Sequence, residues 1–214
     1  MCSSDLPKEA NDPRCVEVLD LLPRYLAKDG VVAVGEIGFD SMTAEEDRAF
    51  AAQLELAVRF DLPALVHTPH RDKARGTERT LALVAQSGIA PERVVIDHLN
   101  EVTIELVHNT GCWLGFSIYP ETKMSPDRMV ALLRRYGLER ILVNSAADWG
   151  RSDPLLTRAT GEAMLAAGFT DGDVDRVLWR NPVDFYAQSG RLELTDVGAV
   201  AATHAGNSIL RGGD

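Results

Sequence analysis

Long hydrophobic runs are missing from this 214-residue sequence. No stretch approaches the ~18 apolar residues of a membrane span, and the amino terminus has no signal-peptide apolar core. No membrane partner is therefore expected, and the expected compartment is the cytoplasm. Cysteine is scarce: Cys2, Cys15 and Cys112 lie far apart with no CxxC pair, which suits a reducing compartment and argues against a disulfide framework. Basic charge is in deficit, with 22 Lys and Arg against 32 Asp and Glu and a net charge of −10. No global field draws the chain to nucleic acid, so a nucleic-acid substrate would need a local basic patch. No histidine precedes His67. What remains is the balance of a globular domain, 45% hydrophobic and 25% charged, long enough to bury a sizeable core.

From residue 31 onward, short apolar runs alternate with amphipathic segments. Val31–Gly35, Ala64–His67, Val94–His98, Trp113–Ile118 and Ile141–Ser145 read as strands rich in Val, Ile and Leu, as expected of parallel strands buried on both faces. Between them, "TAEEDRAFAAQLELAVRF" opens with Thr43 and Glu46 at capping-box spacing, followed by a helical apolar stripe. "SPDRMVALLRRYG" carries Ser125 as an N-cap, Pro126 in the first turn and Gly137 as a stop. "EVTIELVHNTG" reads as a further helix ended by Gly111, and "RCVEVLDLLPRYLAKDG" as one preceding the first strand. Such alternation predicts a parallel α/β architecture with right-handed crossovers.

Glu36, His67 and His98 each fall at the carboxyl end of a predicted strand, in two equal steps of 31 residues, and Asp148 lies just past another. In a (β/α) barrel such residues converge on one active-site mouth. Glu, His, His and Asp form a ligand set that suits zinc, manganese or a similar divalent ion. Glycines on both sides of Glu36 suggest a tight backbone approach rather than a solvated loop. Asp97 is expected to point away from His98, since side chains alternate along a strand. Asp153 competes with Asp148 for the acid role in "NSAADWGRSDP", and Asp148 is preferred because it is nearer the strand. His70 and His108 read as non-ligands. Arg71, Lys73 and Arg75 in "HRDKARG" follow a ligand strand and are candidates to bind an anionic substrate, although a solvated helix start fits the same residues.

"AVGEIGFD", "FAAQLELAVRFDLPALVHTPHRD", "VVIDHLNE", "GCWLGFSIYP" and "ERILVNSAAD" follow the order of motifs in the TatD family of metal-dependent hydrolases, which this chain resembles over about residues 28 to 190. The resemblance implies an α/β fold of the (β/α) TIM-barrel, metallo-dependent hydrolase type. It further implies that Glu36 bridges two metal ions, that His67 and His98 each bind one, and that Asp148 binds metal and orients the attacking water. On this reading Glu36 and Asp148 are catalytic, Arg71 and Lys73 bind substrate, and the cofactors are divalent zinc, manganese or magnesium ions, two in a full-length protein. The sequence departs from the family at "NSAADWG", where the aspartate falls late, and at Arg71, four residues rather than two after His67. It also lacks the family's initial His-x-His strand and the two strands after it.

Five strands against the barrel's eight predict an incomplete barrel whose exposed edge is Val31–Gly35. Residues 1–6 ("CSSDL" after Met1, which resembles a sequencing adapter read in frame) are expected to be a non-native leader, 7–193 a partial barrel, and 194–214 a loosely held extension. Such a chain is expected to bind metal weakly and hydrolyse little. Three functions are compatible: a TatD-like phosphodiesterase or deoxyribonuclease acting on a nucleic-acid or small-molecule phosphodiester, a hydrolase of a small-metabolite ester, lactone or amide, and a non-catalytic binding protein derived from the barrel. The net charge and the divergent "NSAADWG" stretch favour the second more than the family name suggests.

Overall fold

The computed structural model describes residues 6–145 and 153–194. Residues 1–5 of the expected leader, residues 195–214 of the expected extension, and Asp148 lie outside the described residues. Five parallel strands form one sheet in sequential order: β1 (Val34–Gly38), β2 (Ala64–His67), β3 (Val94–Ile96), β4 (Trp113–Ser117) and β5 (Ile141–Asn144). Before the sheet come α1 (Leu6–Glu9) and α2 (Cys15–Leu26). The crossovers carry α3 (Ala44–Arg59), α4 (Lys73–Ser87), the short α5 (Ile104–Val107) and α6 (Pro126–Tyr136). After β5 come α7 (Leu156–Ala166), α8 (Asp171–Asp175), a π-turn over Arg176–Arg180 and α9 (Asn181–Ala187). The α/β barrel arrangement is present in part, as five strands.

The helix punctuation follows the local chemistry. Ser125 accepts a hydrogen bond from the Arg128 amide and Gly137 ends α6 with φ 84°. Thr43 caps α3 by accepting from the Glu46 amide. The Glu46 carboxylate does not reach back to Thr43 as a capping box requires. It is fully buried and accepts from the amides of Asp40, Ser41 and Met42 instead, because these unpaired donors of the turn leaving β1 compete for it. That turn is thereby fixed against α3.

Two apolar clusters cover the two faces of the sheet, as the two-residue period of a strand requires. Val94, Ile96, Leu114, Ile141 and Val143 join the large cluster shared with Phe50 and Leu54 of α3 and Met129 and Leu133 of α6. Val95, Trp113 and Leu142 point the other way and pack with Phe185 of α9.

Two strands differ from expectation by more than one residue at an end. β1 starts at Val34 and runs on to Gly38, so Glu36 lies within the strand rather than at its end. The continuation depends on Gly38: at φ +132° a Cβ there would stand 2.3 Å from the His67 carbonyl oxygen, and only glycine allows Gly38 to pair with His67. β3 stops at Ile96, two residues before His98, which turns out of the strand with φ 62°. Among the described residues β1 pairs with β2 alone and forms one edge of the sheet, and β5 forms the other.

Candidate metal centre

Three neighbouring strands bring Glu36, His67 and His98 together. One Glu36 oxygen, Oε1, lies 3.1 Å from His67 Nδ1 and 2.9 Å from His98 Nε2. The ligand atoms of the three residues all fall within 4.8 Å of one another. The glycines flanking Glu36 make this approach possible. A Cβ on Gly35 would sit 2.7 Å from that of Leu65, and one on Gly38 would strike β2 as described above. The two imidazoles meet edge to face with centroids 4.6 Å apart.

Burial alone would raise the pKa of Glu36, which is 8% exposed, but hydrogen bonds from His67 and His98 outweigh it and hold the carboxyl well below the usual carboxylate range. Burial pushes the His67 imidazole below its ordinary value, against the opposing pull of Glu36. A neutral His67 still donates from Nδ1, so the two shifts agree on an ionised Glu36 beside a neutral His67. His67 Nε2 is then a buried nitrogen without a hydrogen-bond partner among the described residues, a condition that costs about 1–3 kcal/mol when left unanswered. One carboxylate oxygen facing two imidazoles, with a buried ring nitrogen unsatisfied, fits a divalent cation. It also resembles the three-ligand, open-position arrangement of catalytic zinc sites.

Asp97 corrects the sequence reading. Because β3 ends at Ile96, strand alternation does not govern residue 97, and its carboxylate turns toward the site. It is 3% exposed and accepts from the His98 amide at 2.6 Å and from Asn144 Nδ2 at 2.8 Å. Ser117, the last residue of β4, places its Oγ 2.7 Å from His98 Nδ1 and 3.5 Å from each Asp97 oxygen. Gly115 makes room: a Cβ there would lie 2.8 Å from both Asp97 Cα and Oδ1. Ser117 closes β4 at its carboxyl end; it was passed over in the sequence because the predicted strand ran on to Ile118.

Cations line the rim. Lys73 Nζ bonds Thr68 Oγ1 at 3.0 Å and the Pro69 carbonyl at 3.3 Å. Burial, aided by the nearby charge of Lys123, lowers its pKa to about 8. Lys123, missed in the sequence because it lies in an irregular loop after β4, holds its Nζ 3.3 and 3.4 Å from the two ring nitrogens of His98. His70 stacks near His98, centroids 6.5 Å apart, outside the ligand cluster as read. Burial together with the charges of Lys123 and Lys73 lowers its pKa to about 4. Arg71 is exposed and forms no hydrogen bond or ion pair with the site among the described residues, and Arg75 is exposed on α4. His108 lies far off, ring to ring with Tyr136. Asp153 caps the turn into α7 by accepting from the Leu155 amide.

A parallel sheet with a Glu–His–His cluster on its carboxyl-terminal side defines the class: metal-dependent hydrolases of the TIM-barrel type. The TatD related DNase family matches residues 6–167, and this chain belongs to it. It is 27% identical over 177 residues to an uncharacterized metal-dependent hydrolase of Methanocaldococcus jannaschii, covering 81% of this chain and 69% of that protein. A TatD-like protein from Archaeoglobus fulgidus superposes with a TM-score of 0.63 at 28% identity, over 78% of this chain and 65% of that one. The phosphotriesterase homology protein of Escherichia coli superposes with a TM-score of 0.63 over 81% of this chain and 69% of its own. At 20% identity it bears on the fold alone. The chain thus spans about two thirds of the length of these proteins. Among the described residues no helix is long and apolar enough to cross a membrane.

Proposed function

We propose that this site hydrolyses phosphate esters, with a phosphodiester of the nucleic-acid type as the favoured substrate. The observation that carries the reading is the convergence of Glu36, His67 and His98 within 4.8 Å, rimmed by the ammonium groups of Lys73 and Lys123. A divalent ion held there, zinc, manganese or magnesium, supplies Lewis-acid polarisation of a phosphoryl or carbonyl oxygen and an acidified water. His67 and His98 would hold the ion as neutral donors. Glu36, ionised across the working range, would supply the charge that keeps it and would bridge to a second ion where further ligands complete one. Asp148, on the segment after β5, is proposed as the further ligand that orients the attacking water. Lys73 and Lys123 stand where an anionic ester would approach and would neutralise it. Arg71 would join them only at the outer edge, since it is exposed.

The net charge of −10 supports a second reading, a small-metabolite ester, lactone or amide, because it gives the chain no overall field that draws in a polyanion. A comparison of a generic phosphodiester, a phosphomonoester and a lactone, each assayed with added zinc or manganese, separates the two. Slow metal-dependent cleavage of the diester, abolished in Glu36→Gln, is the expected result. Faster cleavage of the lactone than of the diester would favour the second reading, and no metal-dependent cleavage of any of the three would defeat both.

A further inference from the structure

The hydrogen bonds around His98 extend beyond the ligand cluster into a buried chain that no ligand assignment uses. Asp97 and Ser117, 3% and 2% exposed, lie behind the imidazole on the side away from Glu36. Ser117 Oγ stands 2.7 Å from Nδ1, while Lys123 Nζ, nearly equidistant from the two ring nitrogens, straddles the ring rather than meeting the Nδ1 lone-pair direction. Behind the serine, the Asp97 carboxylate lies 3.5 Å from Oγ through either oxygen, and 3.7 Å from Nδ1 itself. Asn144, the last residue of β5, donates to the same carboxylate at 2.8 Å. A carboxylate buried this deeply needs hydrogen-bond donors around it, and here they come from β4, β5 and the turn after β3.

We propose that Ser117 and Asp97 act as a positioning relay for His98: when Nε2 gives up its hydrogen bond to Glu36 for an ion, they hold the ring by Nδ1 in the orientation that keeps Nε2 beside Glu36. In the loaded site the Nδ1 hydrogen would be donated to Ser117 Oγ and the serine hydroxyl would donate to Asp97. Outer-shell carboxylates of this kind fix the tautomer and orientation of a ligand histidine and raise its basicity. Asn144 pins the second Asp97 oxygen and so ties the relay to the strand that leads toward Asp148. Gly115 is part of the device, because any side chain there would displace Asp97.

This inference rests on the metal-site reading above, and its test separates the two. Nitrogen-15 NMR of the zinc-loaded chain, with His98 assigned by its loss in His98→Gln, should show an Nδ1 hydrogen in the wild type whose slow exchange with solvent is lost in Ser117→Ala. Zinc titration should show affinity reduced about 10–100-fold in both Ser117→Ala and Asp97→Asn, with thermal midpoints of the metal-free proteins showing that the variants fold. A merely structural role would lower the midpoints and leave zinc affinity unchanged. An Nδ1 hydrogen that exchanges equally fast in the zinc-loaded wild type and Ser117→Ala, or zinc affinity in Ser117→Ala within twofold of wild type, would overturn the relay alone. If the wild type takes up no zinc, the metal reading fails and the relay falls with it.

Discussion

Glu36 carries the largest share of the site at the scale of single residues. It is a buried carboxylate whose two imidazole partners outweigh its desolvation, so removing its charge should remove the ion's counter-charge without removing packing volume. Glu36→Gln is expected to weaken zinc or manganese binding by about 100-fold or more, above the range for outer-shell partners, as read by calorimetric titration. Lys73 gives a pH signature. Its pKa of about 8 means that it is cationic below that value and neutral above it. Affinity for inorganic phosphate or a phosphodiester should therefore fall as pH rises through about 8, and Lys73→Arg should extend the plateau to higher pH. A plateau unchanged by that substitution would remove Lys73 from anion binding. The residues most legible in the sequence were those whose role follows from strand position alone, His67 above all. Asp97 was misread because alternation was applied past the end of β3, where a left-handed His98 resets the direction of the chain. Lys123 carried no periodic signal at all.

At the scale of elements, the site exists because glycines let strands and side chains approach closely. Gly38 at φ +132° beside the His67 carbonyl, and Gly115 beside Asp97, have no room for a methyl group. Gly38→Ala and Gly115→Ala should each cost about 1–3 kcal/mol in urea denaturation, and each should lower metal affinity as well, because the displaced backbone carries a ligand or its support. Stability loss without any change in metal binding would show that these glycines serve packing alone. The strands and capped helices were legible because apolar period and cap chemistry are local properties. The extension of β1 past Glu36 was not, since it depends on contact with β2, some thirty residues away. Nor was the diversion of Glu46 from its capping box to the turn after β1, which depends on three amides left unpaired by the tertiary arrangement.

For the whole molecule, acid should unfold the chain in two overlapping stages. The depressed folded-state pKa of His67 means that the unfolded chain binds more protons once pH falls below about 6.5, so stability declines from there downward. The depressed pKa of Glu36 adds a contribution present above its unfolded value of about 4.5 and lost as pH falls below it. Denaturant midpoints measured across this range should fall first near pH 6.5, and the early limb should weaken in His67→Gln. The order of the five strands and the family were legible at this scale because each strand-helix unit is a local repeat and the motifs follow one another in order. The substrate was not, since it depends on which charges the loops bring to the rim. The most direct test of the central claim is X-ray absorption spectroscopy of the zinc-loaded chain. Two imidazole nitrogens near 2.0–2.1 Å are expected, falling to one in His67→Ala and again to one in His98→Ala. A zinc shell without imidazole scattering, or one unchanged by both substitutions, would contradict the assignment of this cluster as the metal centre.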